Sequence, residues 1–377
     1  MNIRHILLTL LIALPLGART IPSASEPGEP AEFPIIADIL HTELYDAECF
    51  RDIHRAGFNV CLCQCKTKED ILNVLDLAKP HGIKLIILSH LIMRNPQDIV
   101  PLIKGNPSFW QYYLRDEPKM ADLKNLQTIQ QQIARYDKDA KCYINLLPNA
   151  SKEVLKSIGV ETYPDYLKAF STISQPQISY DFYPVQGKVV RGDKWYPILD
   201  DIRSESLRTG RPFWAYVLCV PHFIYPMPTI GHLRLQCYVN LAYGAQGIQY
   251  FSYATPAPDG QYDFHDGPLL RNGEKSKTYD LVKRMNTELR PVASIFWHST
   301  ITTIEHRKCI DGEVLVSHFT KAGKRYTCYV NKSADKDVTI GIPSGRHLMR
   351  IRKNLRTEAP KASYTLSAGD ILIFQDK

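Results

Sequence analysis

Between residues 33 and 289 short apolar runs alternate with amphipathic stretches, regularly enough to be counted. The runs predict strands over residues 33–41, 58–64, 83–91, 109–117, 141–147, 178–183, 213–220 and 247–253. Helical spacing follows each one, over residues 43–56, 68–79, 96–103, 121–136, 152–170, 196–208, 232–243 and 277–289. Gly57 and Gly210 stop helices, while Pro118 and Pro184 close strands. Strands separated by helices imply parallel pairing through right-handed crossovers. Eight such units predict a (β/α)8 barrel. The rival, an open nucleotide-binding sheet, needs a glycine-rich phosphate loop after a strand, and none follows here.

After residue 299 the pattern changes to strands without helices, over residues 302–306, 313–319, 325–331, 337–342, 347–352 and 371–374. This predicts a small C-terminal antiparallel β-sandwich. The expected division is an export signal over residues 1–25, a barrel over 26–299 and the sandwich over 300–377. Arg4 and His5 precede a short apolar stretch over residues 6–16, and small residues follow it. That order marks an export segment, hence a periplasmic, cell-surface or extracellular destination. No other stretch is apolar for long enough to span a bilayer.

The 377 residues are 44% hydrophobic, enough to bury a large core. The net charge of +7 is spread thinly, with neither a long basic run nor a nucleic-acid motif, so nucleic acid is not an expected partner. Nine cysteines argue against a complete disulfide framework. Cys61, Cys63 and Cys65 alternate along one strand and share a face, too far apart to chelate one tetrahedral zinc. They are expected as small core residues. No metal and no cofactor is expected, because no metal-spaced cluster, phosphate loop or Gly-x-Ser-x-Gly motif appears.

In such a barrel the chemistry lies at the C-terminal strand ends. Strand four ends Arg115-Asp116-Glu117-Pro118. Two adjacent carboxylates facing a partly dry cavity repel each other, and repulsion plus desolvation raises one of their pKa values. That suits a general acid near neutral pH. The bland alternative is a structural ion pair with Arg115. Asp181 and Tyr183 end strand six and are candidate substrate ligands, with Asp181 also a candidate partner for Glu117. His41, His90 and Asn145 end strands one, three and five and could hydrogen-bond a polar ligand, as could the stretch 145–149. Trp214, Tyr216, Phe251 and Tyr253 offer rings for stacking in a binding pocket, although half of such rings must face the helices, and the long polar loop with Tyr262, Asp263, His265 and Asp266 could form a pocket wall.

An acidic residue followed by Glu-Pro after strand four resembles the acid/base strand of barrel glycoside hydrolases. The Asp116-Glu117 pair is closest to the N-acetylhexosaminidases that use substrate assistance. The run over residues 234–253 also resembles the last barrel segment of secreted gut-bacterial glycosidases. The resemblance implies a glycan substrate, Glu117 as acid/base and Asp116 orienting a 2-acetamido group that attacks in place of a protein nucleophile. In the largest clan of such barrels strand seven carries a Glu nucleophile. Residues 213–220 here hold no carboxylate. The alternatives are a two-carboxylate glycosidase on neutral sugars using Glu117 and Asp181, or a non-catalytic carbohydrate-binding barrel.

Overall fold

The computed structural model describes residues 30–148, 151–258, 260–342 and 348–376. The expected export segment and Asn149 lie outside them. Eight strands close into a barrel with every neighbouring pair parallel. They are Ile35–Leu40, Val60–Gln64, Lys84–Leu88, Phe109–Asp116, Cys142–Leu146, Ile178–Tyr180, Phe213–Leu218 and Ile248–Phe251. In barrel order these are strands one to eight.

Local chemistry sets where the helices begin and end. Asp46 caps the helix Ala47–Arg55 by accepting from Cys49 N–H at 2.7 Å. Thr67 and Asp70 form a reciprocal capping box on Lys68–Ala78. Ser151, Thr162, Thr229 and Ser276 cap later helices by accepting a single backbone N–H through the side-chain oxygen. The 43–56 prediction resolves into a short turn at Thr42–Leu44 followed by that first helix. The last barrel helix, Lys277–Phe296, runs through Pro291 well past the predicted stop. Val292, Ala293, Ile295 and Phe296 are buried in its final turns, and their packing outweighs the hydrogen bond that proline cannot make.

Strand alternation divides the barrel wall into two faces. The outward face packs on the helices and includes Cys61, Cys63 and Cys65, all buried. The inward face forms a plug of Ile36, Val60, Leu62, Ile86, Trp110, Tyr113, Tyr143 and Trp214. The Trp110 and Trp214 rings lie 5.1 Å apart, and Tyr113 meets Tyr143 edge-on at 4.7 Å. A Cβ on Gly247 would come within 2.6 Å of Trp214, so only glycine leaves room for the indole. The barrel is therefore a filled cylinder whose open chemistry is confined to its rim.

The C-terminal residues form a six-stranded antiparallel sheet facing the pair Val338–Gly341 and Ser363–Leu366. Val314, Val316, Tyr329, Ile340, Leu366 and Phe374 fill the space between them. The other face of the large sheet packs on the barrel, where Phe319 stacks on Phe296 at 4.5 Å. Gly369 meets Gly231 and Leu235 so closely that no Cβ fits. The strands Thr357–Glu358 and Ser363–Leu366 were not anticipated as strands from the sequence.

An ionic clamp crosses this junction. Glu288 accepts from Arg234 at 2.7 Å and from Lys353 Nζ at 2.7 Å, and Lys353 also reaches Asp370 at 2.6 Å. Burial pushes the Glu288 carboxyl up, but the hydrogen bonds from Arg234 and Lys353 outweigh it and hold it at about 2. Glu288→Gln is expected to cost roughly 2 kcal/mol in urea denaturation at neutral pH. A depressed folded-state pKa stabilises above the ordinary glutamate range, and that stabilisation disappears as pH falls through about 2. The gap between wild type and variant should therefore close on acidification; a gap that is independent of pH would contradict the clamp.

Candidate active site

Strand four carries its chemistry at its very end. Tyr113 faces inward and hydrogen-bonds Asp116, and Glu117 follows with a left-handed φ of 42°. A non-glycine residue in that region is strained, and such strain concentrates at functional sites. The surroundings hold it there. Glu117 N–H donates to Asn145 O at 2.9 Å, continuing the ladder one residue past the strand. The buried Tyr166 hydroxyl donates to Pro118 O at 2.8 Å and accepts from Leu147 N–H at 3.2 Å. Arg115 turns toward Asp122, with 4.0 Å between their charged atoms, rather than pairing with Glu117.

The centre of the site is one amide. Asn145 Nδ2 donates to Asp116 Oδ1 at 3.2 Å and to Asp181 Oδ1 at 3.1 Å. Those two carboxylate oxygens thus lie within about 6 Å of each other, the reach of two hydrogen bonds from one nitrogen. Ser179 Oγ donates to Asn145 Oδ1 at 2.9 Å and fixes which end of the amide faces the acids. Ser179 accepts from Gln249 Nε2 at 2.8 Å, and Gln249 Oε1 accepts from Tyr143 at 2.7 Å. Tyr216 lies 3.3 Å from the Tyr143 hydroxyl and hydrogen-bonds Asp38. A continuous polar layer therefore sits on top of the apolar plug.

These acids are desolvated and mutually repelled. Asp116 and Glu117 are exposed at the open rim and Asp181 is half-buried, so their desolvation comes from the crowded protein beneath and beside them rather than from full enclosure. Burial first, and the Asp116 charge second, raise the Glu117 carboxyl to about 7. Burial, then Glu117 and Asp116, push Asp181 well above the usual carboxylate range. Burial and Asp116 do the same to Asp38. At neutral pH the site carries fewer charges than it has carboxylates.

The residues anticipated from sequence fall into groups. Asp116, Glu117 and Asp181 converge, and Tyr183 stands beside them with its ring stacked on Phe251 at 5.9 Å. Asn145 is at the centre, but its amide is consumed by protein partners, so it positions acids rather than binding sugar. His41 sits at the rim with Nδ1 3.1 Å from Gln64 Oε1. His90 is exposed and lines, with Asp116, a cleft of about 540 Å³ beside strands three and four. The aromatic expectations need correction. Trp214 belongs to the interior plug. Tyr216 is buried and spends its hydroxyl on Asp38 and Tyr143 within the polar layer. Tyr253 is wholly buried outside the barrel wall, edge-on to Phe58 at 5.4 Å, because the chain turns after Phe251 and strand parity is lost. Sequence reasoning missed Asp38, whose one signal was a lone acid within the apolar run of strand one. It also missed the loop residues His222, Tyr225 and Phe264, which together with Tyr262 of the anticipated wall loop form an aromatic wall beyond Tyr183. Among the described residues no group of three His, Cys, Asp or Glu side chains is arranged to hold a metal ion, and no helix is long and apolar enough to cross a membrane.

Residues 117–292 match the family model described as Beta-galactosidase (Glyco_hydro_42), so the match opens on Glu117 itself. No curated protein matches the sequence. The fold is similar to that of a beta-galactosidase from Bacillus circulans sp. alkalophilus, at 8% identity and TM-score 0.64, covering 91% of this chain and 99% of that one. It is also similar to Amy13B of Eubacterium rectale, at 9% identity and TM-score 0.55, covering 93% and 97%. A trehalose-6-phosphate hydrolase from Bacillus licheniformis matches at 9% identity and TM-score 0.53, covering 91% and 99%. The fold and the family match together define a (β/α)8-barrel glycoside hydrolase.

A general acid at Glu117 would work only while protonated, so in that role the alkaline limb of kcat/KM should fall near the Glu117 value of about 7. Asp116→Asn removes a repelling charge and should move that limb to lower pH. A limb that stays in place would show that Asp116 does not tune Glu117.

Proposed function

We propose that this enzyme hydrolyses glycosides of neutral hexoses, with Glu117 as proton donor and Asp181 as the partner carboxylate. The observation that carries this reading is the shared amide of Asn145, which aims Asp116 and Asp181 into one space beside Glu117. Glu117, neutral up to about pH 7, would protonate the glycosidic oxygen as the bond to the leaving group breaks. Asp181, once ionised, would meet the positive charge developing on the sugar, either by attacking the anomeric carbon or by activating water. Asp116 keeps Glu117 basic enough to hold its proton. The match to a beta-galactosidase family model makes β-galactosides the first substrates to try. Export of the enzyme belongs to the same reading, supported by the N-terminal sequence pattern.

A second reading is substrate assistance on N-acetylhexosaminides. It is favoured by strand seven, Phe213–Leu218, whose end carries no carboxylate, and by the adjacency of Asp116 and Glu117. Nitrophenyl β-galactoside and nitrophenyl N-acetylhexosaminides separate the two. The neutral-sugar reading expects turnover of the galactoside, a fall in kcat/KM of about 10²–10⁴-fold in Glu117→Gln and a loss at least as large in Asp181→Ala. Turnover confined to 2-acetamido sugars, with tight inhibition by a thiazoline and a mild Asp181→Ala defect, would favour substrate assistance instead. Wild-type activity in Glu117→Gln would sink both.

A further inference from the structure

The aromatic wall continues outward from the acids as a chain of touching rings. Tyr183, two residues after Asp181, meets Tyr225 edge-on at 5.7 Å. Tyr225 lies 4.8 Å from His222, which packs 5.6 Å from Tyr262. Tyr262 in turn meets Phe223 at 6.5 Å. Phe223 ends the chain and is 71% exposed.

Phe223 is held in a way that ordinary surface packing does not require. His222 and Tyr225 exchange both backbone hydrogen bonds, at 3.1 and 2.7 Å, so residues 222–225 form a tight turn. Phe223 takes the turn position with φ of 47°, where glycine is favoured and a bulky ring is strained. Its N–H donates to Asp263 Oδ1 at 2.7 Å, and the neighbouring Ile224 carbonyl accepts from Gly187 N–H at 2.8 Å. The turn is thus braced from two sides while its tip presents apolar surface to water. Val189, 57% exposed, and Ile224, 41% exposed, flank the ring in a shallow depression that also includes Gln186 and Arg191. Apolar rings edged by hydrogen-bonding groups fit the C–H faces and hydroxyl rims of sugars.

We propose that this platform, centred on Phe223, binds the part of a glycan chain that extends beyond the cleaved bond, so that the substrate is a polysaccharide or long oligosaccharide rather than a terminal monosaccharide unit. The inference rests on the glycosidase reading, because its continuity with Tyr183 and Asp181 is what selects sugar as the occupant.

The test is electrophoretic retardation of the full-length protein in gels containing soluble galactan, arabinogalactan, xyloglucan or mannan. Wild type should be retarded by at least one of them. Phe223→Gly suits the left-handed backbone and should keep Tm at or above wild type, yet it should weaken retardation at least fivefold. Phe223→Tyr should restore it. Both variants should keep wild-type kcat/KM on a nitrophenyl glycoside that reaches only the acids. Glu117→Gln should abolish hydrolysis and leave retardation unchanged, so a failure of the catalytic reading is seen separately. Equal retardation of wild type and Phe223→Gly, or none in any gel, would overturn the proposal. So would a wild-type oligomer that dissociates in Phe223→Gly during sedimentation, because the patch would then be a contact between copies of this chain.

Discussion

Two carboxylates that repel each other share the two hydrogens of a single side-chain amide, and the rest of the site is arranged around that arrangement. Asn145 has one donor for Asp116 and one for Asp181. Without it Asp116 would keep Tyr113 as its hydrogen-bonding side chain and Asp181 would keep only backbone hydrogen bonding, so the link between the two acids would be lost. The amide can do this because its oxygen is occupied by Ser179, which settles its orientation. Ser179, Gln249, Tyr143 and Tyr216 carry the same logic across the barrel to Asp38. Each buried polar group in the layer answers another, which is the condition under which such a layer rigidifies a site instead of weakening it.

The apolar plug makes that layer effective. Trp110, Trp214, Tyr113 and Tyr143 fill the cylinder below it and keep water from approaching the acids from beneath. A carboxylate with water on one side only is harder to ionise. The plug in turn depends on Gly247, whose missing side chain admits Trp214.

Much of this was legible in the sequence. The eight strands are short apolar runs, with Pro118 and Pro184 closing two of them, and Asp116-Glu117-Pro118 is conspicuous because paired acids are costly at such a place. Asp181 was legible for the same reason. What escaped was direction and distance. Trp214 and Tyr253 are equally plausible rings in a one-dimensional pattern, yet one fills the plug and the other lies outside the wall. Asp38 hid inside an apolar run, because alternation does not reveal which inward residue reaches the rim. The aromatic wall is assembled from three loops, and the clamp on Glu288 joins residues 54 and 65 positions apart. Such contacts leave no periodic trace.

The two bulky residues that bracket this rim, Glu117 and Phe223, share an unusual backbone, at φ of 42° and 47°. Each costs on the order of 1–3 kcal/mol relative to a relaxed conformation. A chain tolerates that only where neighbours over-determine the geometry. At Glu117 the neighbours are Asn145 O and the Tyr166 hydroxyl that anchors Pro118. At Phe223 they are Asp263 and the bridge between His222 and Tyr225. The filled barrel supplies the rigidity and the loops convert it into projection. The same left-handed backbone at His298, Ala322 and Leu355 sits in turns away from the rim, whereas at Glu117 and Phe223 it sets the direction of a side chain beside the acids or their aromatic wall.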